Sequence, residues 1–451
     1  MSVKHELAGR TEGPVYVPGD DGYDEERTGF QLLGPHRPEV IVGAAGVADV
    51  RAAVEYAAAR RVPLAVQAAG HGVGVPTRGV LVGTRRMNRV GVDPGARTAW
   101  VEAGATWAEV VAVTAPHGLA PLSGSFPGVG AVPYTLGGGS GLLARRYGFA
   151  ADHVRRFEVV TMDGRLRRAD ATSEPDLFWA LRGGGGDVGV VTGMEIDLMP
   201  VEGLFGGSLF FDVARAPGVL DAWRRWTRTV PEEVTSAVSM LVYPDAPPFP
   251  EAMRGRQIAQ LQIAFAGPEG KGRSLVEPLQ AAGPVLRDTL RELPYTESGE
   301  VFQEPAQPHP YRSRCLLLSD LDGRALAGLA KATGPDAAVP TGVGLRHLGG
   351  ALARPPRVPN AVDHRDASYS VMVLSVPEPG QEEAVKAFHR EALAPFASRT
   401  VAPWLTFTYG PLGVDEVRAA FEPATYRRLA QVKARYDPHG LVHGNRPIAA
   451  A

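Results

Sequence analysis

Val62-Pro-Leu-Ala-Val-Gln-Ala-Ala-Gly-His-Gly-Val-Gly-Val75 is an apolar run that breaks into glycines, with one histidine, His71, at the break. A Val/Leu/Ala run bounded by Pro63 and Gly70 reads as a short buried strand. Gly70, Gly72 and Gly74 then let the backbone approach a ligand where a Cβ would collide. A loop rich in exposed N–H groups suits an anionic group such as a pyrophosphate. Taken alone, the stretch reads equally well as a glycine turn carrying a hydrogen-bonded histidine, so the rest of the chain has to decide.

The elements around it form an α/β unit. Pro38 to Gly43 reads as a strand, and Val47 to Ala59 as an amphipathic helix with Val47, Val50, Val54 and Ala57/Ala58 at spacings of three to four. The order is strand, helix, strand, glycine loop. Further on, Gly79 to Val82 and Thr98 to Glu102 read as short strands. Thr106-Trp-Ala-Glu109 has capping-box spacing and opens a second helix. Phe157 to Arg167 reads as a hairpin on its Asp-Gly turn, Asp176 to Arg182 as a short helix ended by four glycines, and Val188 to Thr192 as an apolar strand.

From about Val201 the texture changes. Leu209 to Val213, Val238 to Val242, Gln257 to Phe265 and Ser368 to Val376 alternate like sheet strands, with helical segments at Pro217 to Val230, Gly270 to Ala281 and Gln381 to Ala392. This is an α+β pattern with an antiparallel sheet large enough to cover a flat ligand. Residues 1 to 33 are polar, with Asp20-Asp21 and Asp24-Glu25-Glu26, and read as a tail docked on the surface.

Composition narrows the function classes. The 451 residues are 44% apolar and 21% charged with a formal net charge of −2, which are globular values and leave nucleic acid and anionic membrane as poor partners. A single cysteine, Cys315, excludes an intrachain disulfide framework and a multi-thiolate zinc site, and fits a reducing cytoplasm. The first ten residues lack an apolar h-region, and no stretch approaches the roughly 20 apolar residues a membrane span needs. Neither export nor membrane insertion is expected, and a cytoplasmic location is.

Several motifs offer chemistry and most are weak. Gly139-Ser-Gly141-Leu-Leu-Ala144 matches the dinucleotide fingerprint, which requires a strand leading in. The lead-in, Gly128 to Leu136, carries Pro133 where a central strand needs its N–H, which argues against a Rossmann NAD site. His439 and His443 have metal-helix spacing, but no glutamate follows the first and Gly440 opposes helix, so a turn is the better reading and no metal is expected. No G-x-S-x-G is present, and Cys315 heads an apolar run that marks an inert core thiol.

Gly70-His71-Gly72, Gly137 to Gly141, Tyr147-Gly148, Asp152, Gly183 to Gly186 with Gly189-Val-Val-Thr192, and the terminal Tyr436-Asp-Pro to Asn445 remain. Over nearly the whole chain, from about Gly34 to Ile448, these motifs resemble the berberine-bridge-enzyme-like FAD-linked oxidases of the vanillyl-alcohol-oxidase fold. The resemblance implies an α+β architecture: a two-part PCMH-type FAD-binding domain, residues 34–201, and a substrate domain, residues 202–411, whose antiparallel sheet is covered by helices. Residues 412–451 then return to the FAD domain.

The resemblance also assigns residues. The loop Gln67, Ala68, Ala69, Gly70, His71 and Gly72 and the segment Gly124, Ser125, Pro127, Val129 and Gly130 would hold FAD. Gly141, Gly189, Val190 and Val191 would line its adenine or pyrophosphate, Gly137, Gly138 and Tyr147 belong to the same motifs, and Asn445 would reach the flavin. In the family a histidine at the place of His71 is bonded to the flavin 8-methyl carbon. Many members carry a second bond through a cysteine, where this chain has Phe126, so a single tether at His71 is expected. Near the C-terminus the family places a tyrosine that deprotonates substrate, and this chain has Trp404, whose indole cannot act as a base. Tyr409, Tyr369, His347 and Tyr134 are the candidate replacements.

The expected activity is oxidation of a mid-sized, aromatic or polyketide-like small-molecule metabolite, with hydride passing to flavin N5 and molecular oxygen reoxidising the flavin. The alternative within the fold is a flavoprotein that catalyses cyclisation or oxygen transfer without net dehydrogenation, which the missing base at Trp404 favours. A non-catalytic binding protein for the same ligand is the rival from another class.

Overall fold

The computed structural model describes residues 3–72 and 75–450, so Gly74 of the opening loop lies outside the described residues. The first sheet takes its strands in the order Val15–Tyr16, Val40–Gly43, Val80–Gly83, Leu64–Gln67. The last three are parallel, and the first is antiparallel to its neighbour. Parallel strands need both faces covered, which is why Val40 to Val42 and Val80 to Val82 read as unbroken apolar runs. Val40, Val42, Val80 and Val82 pack on the helix Val47–Arg60, while Ile41, Ala65 and Leu81 pack beneath Tyr23 on the other side.

That second cover comes from the polar segment 3–33, which is therefore more than a surface tail. It supplies the edge strand Val15–Tyr16 and the helix Tyr23–Arg27, and it buries Leu7, Tyr23, Glu26 and Gln31. Glu26 receives both Nη atoms of Arg86 at 2.8 Å each, the bidentate geometry in which a buried carboxylate is tolerated.

The second sheet is antiparallel, in the order Val90–Asp93, Thr98–Glu102, Val190–Asp197, Val154–Val160, Leu166–Asp170. As the Asp-Gly turn indicated, Val154–Val160 and Leu166–Asp170 form a hairpin with Val160 opposite Leu166, and Gly164 supplies a φ of 75° at its tip. The helix Trp107–Thr114 opens on the Thr106/Glu109 capping box. Ala131–Leu136 is a helix with Pro133 in its first turn, where a missing N–H costs little. The fingerprint-like run Gly139 to Ala144 therefore follows a helix and lacks the strand-to-helix context of a Rossmann site.

The third sheet has nine antiparallel strands: Val285–Asp288, Gly203–Asp212, Gln257–Phe265, Val234–Val242, Thr341–His347, Tyr369–Ser375, Arg312–Leu318 and Thr400–Pro403 in order, with Arg291–Pro294 beside Gly203–Asp212. Its strands alternate strictly. Val234, Val238, Leu261, Ile263, Leu345, Val371 and Val373 face a core built with Trp223, Val276, Leu326 and Leu393 from four helices. The opposite residues, such as Ser239, Gly344, Arg346, Ser370 and Met372, look toward the rest of the molecule.

The chain then returns to the first sheet. The helix Pro423–Tyr436 packs near Pro175–Leu181, and the Leu64 N–H donates to the Leu441 carbonyl at 2.8 Å, while the His443 N–H donates to the Leu64 carbonyl at 2.8 Å. Lys433 Nζ fixes this return by donating to the carbonyls of Asp187 and Val442 and to Asp437 Oδ2, at 2.9, 3.1 and 3.1 Å. Asp437 in turn accepts the N–H groups of Leu441 and Val442. The buried carboxylates of Asp437 and Asp187 lie 3.1 and 3.9 Å from this cation and would be left without it, so Lys433→Met is expected to lower stability by about 3–5 kcal/mol, read as a lower urea midpoint.

Three buried histidines set the acid limit of the fold. Burial lowers His36 and His389 to about 4 and, with Arg145 adding to it, His347 to about 2. The unfolded chain binds protons near the ordinary value of 6.5 that the folded chain refuses. This stability is complete above about pH 6.5 and drains as pH falls toward 4, so the melting temperature is expected to drop steeply across that window. No helix among the described residues is long and apolar enough to cross a membrane.

Candidate functional site

At the end of the strand Leu64–Gln67 the chain enters the loop that carries His71. Phe30 and Gln31 donate their N–H groups to the carbonyls of Ala69 and Gly70 at 3.0 and 2.9 Å, so the polar N-terminal segment braces the loop from outside. Gly70 has a φ of 70°, and a Cβ there would sit 2.5 Å from Gly29 Cα, so only glycine fits. At Gly72 a Cβ would lie 2.8 Å from Asn445 Nδ2, so the returning C-terminus closes on the loop from the other side.

This loop forms one wall of a cavity of about 290 Å³. Gln67 through Gly72, Gly124, Ser125, Val129, Gly130, Gly137, Gly189, Val191 and Asn445 all line it. Five residues named with them from sequence do not. Pro127 packs toward Gly299, Val190 is fully buried under the first sheet, and Tyr147 lies against the apolar cluster of Leu143, Met199 and Leu204. Gly138 turns the chain with a φ of 101° facing Val362, and Gly141 lies so close under the Ser123 carbonyl that any Cβ would collide with it.

The glycines around position 140 serve an aromatic ring. Any Cβ at Gly124, Gly139 or Gly141 would press on Tyr134, whose ring stands edge-on to Trp107 at 5.4 Å. The Tyr134 hydroxyl is buried on the cavity side with no partner among the described residues, and burial raises its pKa strongly. It stays a neutral phenol, packed under Gly141.

Ser140, Gly185 and Gly186, named from sequence within their motifs but given no role, line the same wall, as do Thr84, Leu405 and Arg446, of which the sequence reading took no notice. Arg446 was the most legible of these, as a lone cation in the terminal segment beside Asn445. Burial lowers its pKa to about 10, which leaves it charged at neutral pH, and Nη1 reaches the Gly137 carbonyl at 3.4 Å.

A second chamber, about 260 Å³, opens over the free face of the nine-stranded sheet. His71, Phe126, Glu304, Phe407 and Tyr409 line both cavities and form their shared wall. The His71 ring stacks on Phe30 at 4.1 Å and 11° and lies 5.4 Å from Phe126. Neither ring nitrogen has a hydrogen-bond partner among the described residues, and burial, with His309 adding to it, lowers the pKa to about 4. Tyr311 Oη donates to the His71 carbonyl at 2.6 Å and meets Tyr409 edge-on at 5.0 Å.

Of the four candidate bases, Tyr409 alone borders both cavities. Its N–H is held by Ser313 Oγ at 2.8 Å, and burial, with Glu304 adding to it, raises its phenol well above the ordinary range while Arg346 pulls the other way. Tyr369 and His347 are corrected by strand alternation: both project to the helix-covered face. There Tyr369 Oη bonds Thr227 Oγ1 at 2.7 Å, and His347 Nδ1 meets Arg145 at 3.1 Å. Trp404 is buried against Phe407 at 4.9 Å and lines neither cavity. Cys315 is a buried thiol pushed up to about 12 by burial, unreactive though it borders the chamber. Among the described residues no group of three His, Cys, Asp or Glu side chains could hold a metal, and His439 and His443 lie outside regular structure.

The first cavity fits FAD on its own features. Gly70, Gly72, Gly130 and Gly137 present backbone to it, and at each a Cβ would press on a neighbouring protein atom, which keeps this wall backbone-lined for a large flat molecule. Arg446 gives the wall a positive charge, and the neutral imidazole of His71, whose nitrogens have no partner among the described residues, stands where this cavity meets the second chamber. Fold and site together define a flavin-dependent oxidoreductase.

Comparison with known proteins agrees. Residues 38–170 match the family described as FAD binding domain. The chain is 26% identical to an uncharacterised FAD-linked oxidoreductase of Bacillus subtilis (strain 168), across 95% of each protein. It is also 26% identical to (R)-6-hydroxynicotine oxidase of Paenarthrobacter nicotinovorans, across 99% of this chain and 98% of that one. Among solved structures, 6-hydroxy-D-nicotine oxidase from Arthrobacter nicotinovorans superposes with a TM-score of 0.84 at 23% identity, covering 98% of both chains. The BBE-like 1 protein of Physcomitrella patens does so with 0.85 at 19% identity, covering 100% of both. The fold is the PCMH-type FAD-binding fold, the matched segment is a FAD-binding domain, and the protein is a FAD-linked oxidoreductase with FAD as its cofactor.

Proposed function

We propose that the protein is an oxidase of a mid-sized, aromatic or polyketide-like metabolite, with FAD attached covalently through His71 alone. The observation that carries this reading is the His71 imidazole, neutral and unbonded at the wall between the glycine-lined cavity and the chamber. A neutral imidazole is a competent nucleophile, and one whose pKa lies near 4 stays neutral throughout the physiological range. Phe126, 5.4 Å away, offers only a hydrocarbon ring, so no second bond can form at that position.

FAD, held by the loop Gln67 to Gly72 and Arg446, would supply a two-electron acceptor for substrate hydride, with molecular oxygen as the terminal oxidant. The protein's residues do the rest. Phe30, Phe126, Phe302 and Phe407 give the chamber an apolar, aromatic lining that excludes water and matches a ring-bearing substrate. Tyr409, the phenol common to both cavities, holds or receives the proton of the substrate hydroxyl as the carbon beside it is oxidised. A cytoplasmic setting accords with the lone buried Cys315.

The strong upward shift of Tyr409 favours keeping the second reading, a cyclisation or oxygen transfer without net dehydrogenation, because a phenol that resists ionisation offers little phenolate at neutral pH to take a proton. Anaerobic turnover separates the two. In the oxidase, substrate bleaches the flavin once without oxygen, admitted oxygen restores the colour, and turnover stops when dithionite keeps the flavin reduced. Turnover that persists with reduced flavin and no oxygen overturns the oxidase reading.

A further inference from the structure

Arg346 is the arginine of the chamber, and the described residues give it no anion. Alternation along the strand Thr341–His347 points it away from the helix-covered core and into the chamber with Gly344, Ser370 and Met372. Its guanidinium carbon lies 4.2 Å from the centroid of Phe407 and 5.0 Å from that of Phe302. Its single hydrogen bond among the described residues runs from Nη2 to Ser125 Oγ at 3.4 Å, and no carboxylate of those residues pairs with it.

Arginine has five N–H donors and stays charged at any physiological pH. A guanidinium set among aromatic rings and partly removed from water is compensated only in part by cation–π attraction and one long hydrogen bond. The two rings offer π faces rather than acceptor oxygens, so most of its N–H donors are left for a planar, two-oxygen partner, which lysine would not match.

We propose that Arg346 anchors a carboxylate carried by the substrate, an inference that rests on the oxidase reading for the identity of the chamber. The anion would lie toward the cofactor, because Ser125 and Phe407, two of the three neighbours of the guanidinium, also line the FAD cavity, while Phe302 borders the chamber alone. Glu304, the one carboxylate on the chamber wall, is exposed and pairs with no cation among the described residues. It disfavours a second negative charge at the rim. The substrate class is therefore an aromatic or alicyclic monocarboxylic acid whose oxidised carbon lies close to the acid group, with a neutral or cationic outer end.

Calorimetric titration of the holoenzyme with 3-phenylpropanoate and with 3-phenylpropanamide tests this, because the two probes share shape and differ in charge. The expected result is a preference for the carboxylate of about tenfold or more, collapsing toward parity in Arg346→Gln and kept in part by Arg346→Lys. Far-UV circular dichroism and flavin content matching the parent show that the variants are folded. Equal affinity for the two probes, no carboxylate binding at millimolar concentration, or a preference that survives in Arg346→Gln each overturns the inference. An arginine serving only the cofactor would show itself as lost flavin with the probe preference intact, which also overturns it. Absence of flavin from the purified parent would count instead against the oxidase reading, and the titration would still report on Arg346.

Discussion

His71→Ala protein is expected to lose all covalent flavin. After acid precipitation the yellow colour of the parent stays in the pellet, and that of the variant moves entirely to the supernatant. The physical ground is local. The imidazole has no hydrogen-bond partner among the described residues, so its replacement breaks no side-chain hydrogen bond among them, and the Tyr311 bond uses the His71 backbone carbonyl, which alanine keeps. The stack on Phe30 is lost, a contact worth about 0.5–1.5 kcal/mol. The folded variant therefore still binds FAD through Arg446 and the glycine loops, and it titrates with added FAD where the parent does not. Phe126 provides no second anchor, so the loss is complete rather than partial.

Tyr409→Phe removes the one candidate proton acceptor that borders both cavities, and kcat is expected to fall about 10²–10⁴-fold with little change in KM. The pH profile gives the sharper reading. Burial holds the phenol above its ordinary value of 10, so phenolate is scarce at neutral pH and grows tenfold per pH unit. If Tyr409 is the base, log kcat/KM of the parent climbs with a slope near one through neutral and alkaline pH, and the variant shows a flat line. A flat parent profile with an active variant assigns the proton to another acceptor.

Much of the architecture was legible because it rests on local pattern. The apolar runs at Val40 and Val80, the three-to-four spacing from Val47 and the Thr106/Glu109 box each state their element within a few residues. The N-terminal segment was not legible, because a two-residue strand and a five-residue helix leave no periodicity, and its buried anchors, Leu7, Tyr23 and Gln31, are scattered among exposed charges.

At the site, the loop Gln67 to Gly72 could be placed because its glycines and histidine are contiguous. Tyr369 and His347 misled because strand alternation sends neighbours to opposite faces: Arg346 points into the chamber and His347, one residue on, away from it. The spacing of Gly139 and Gly141 imitates a phosphate loop while making room for the Tyr134 ring, a demand that only the packed structure shows. Arg346 could not be singled out beforehand, since its aromatic neighbours Phe302 and Phe407 are brought to it by the sheet.

The central claim, that His71 carries the flavin at the wall between the two cavities, is tested most directly by mass spectrometry of the proteolytic peptide containing His71 from purified holoenzyme. The expected spectrum shows that peptide heavier by one FAD, with fragment ions placing the addition on His71 and every other peptide, including that of Phe126, unmodified. An unmodified His71 peptide with FAD recovered free in solution, or FAD found on a different residue, would contradict the account.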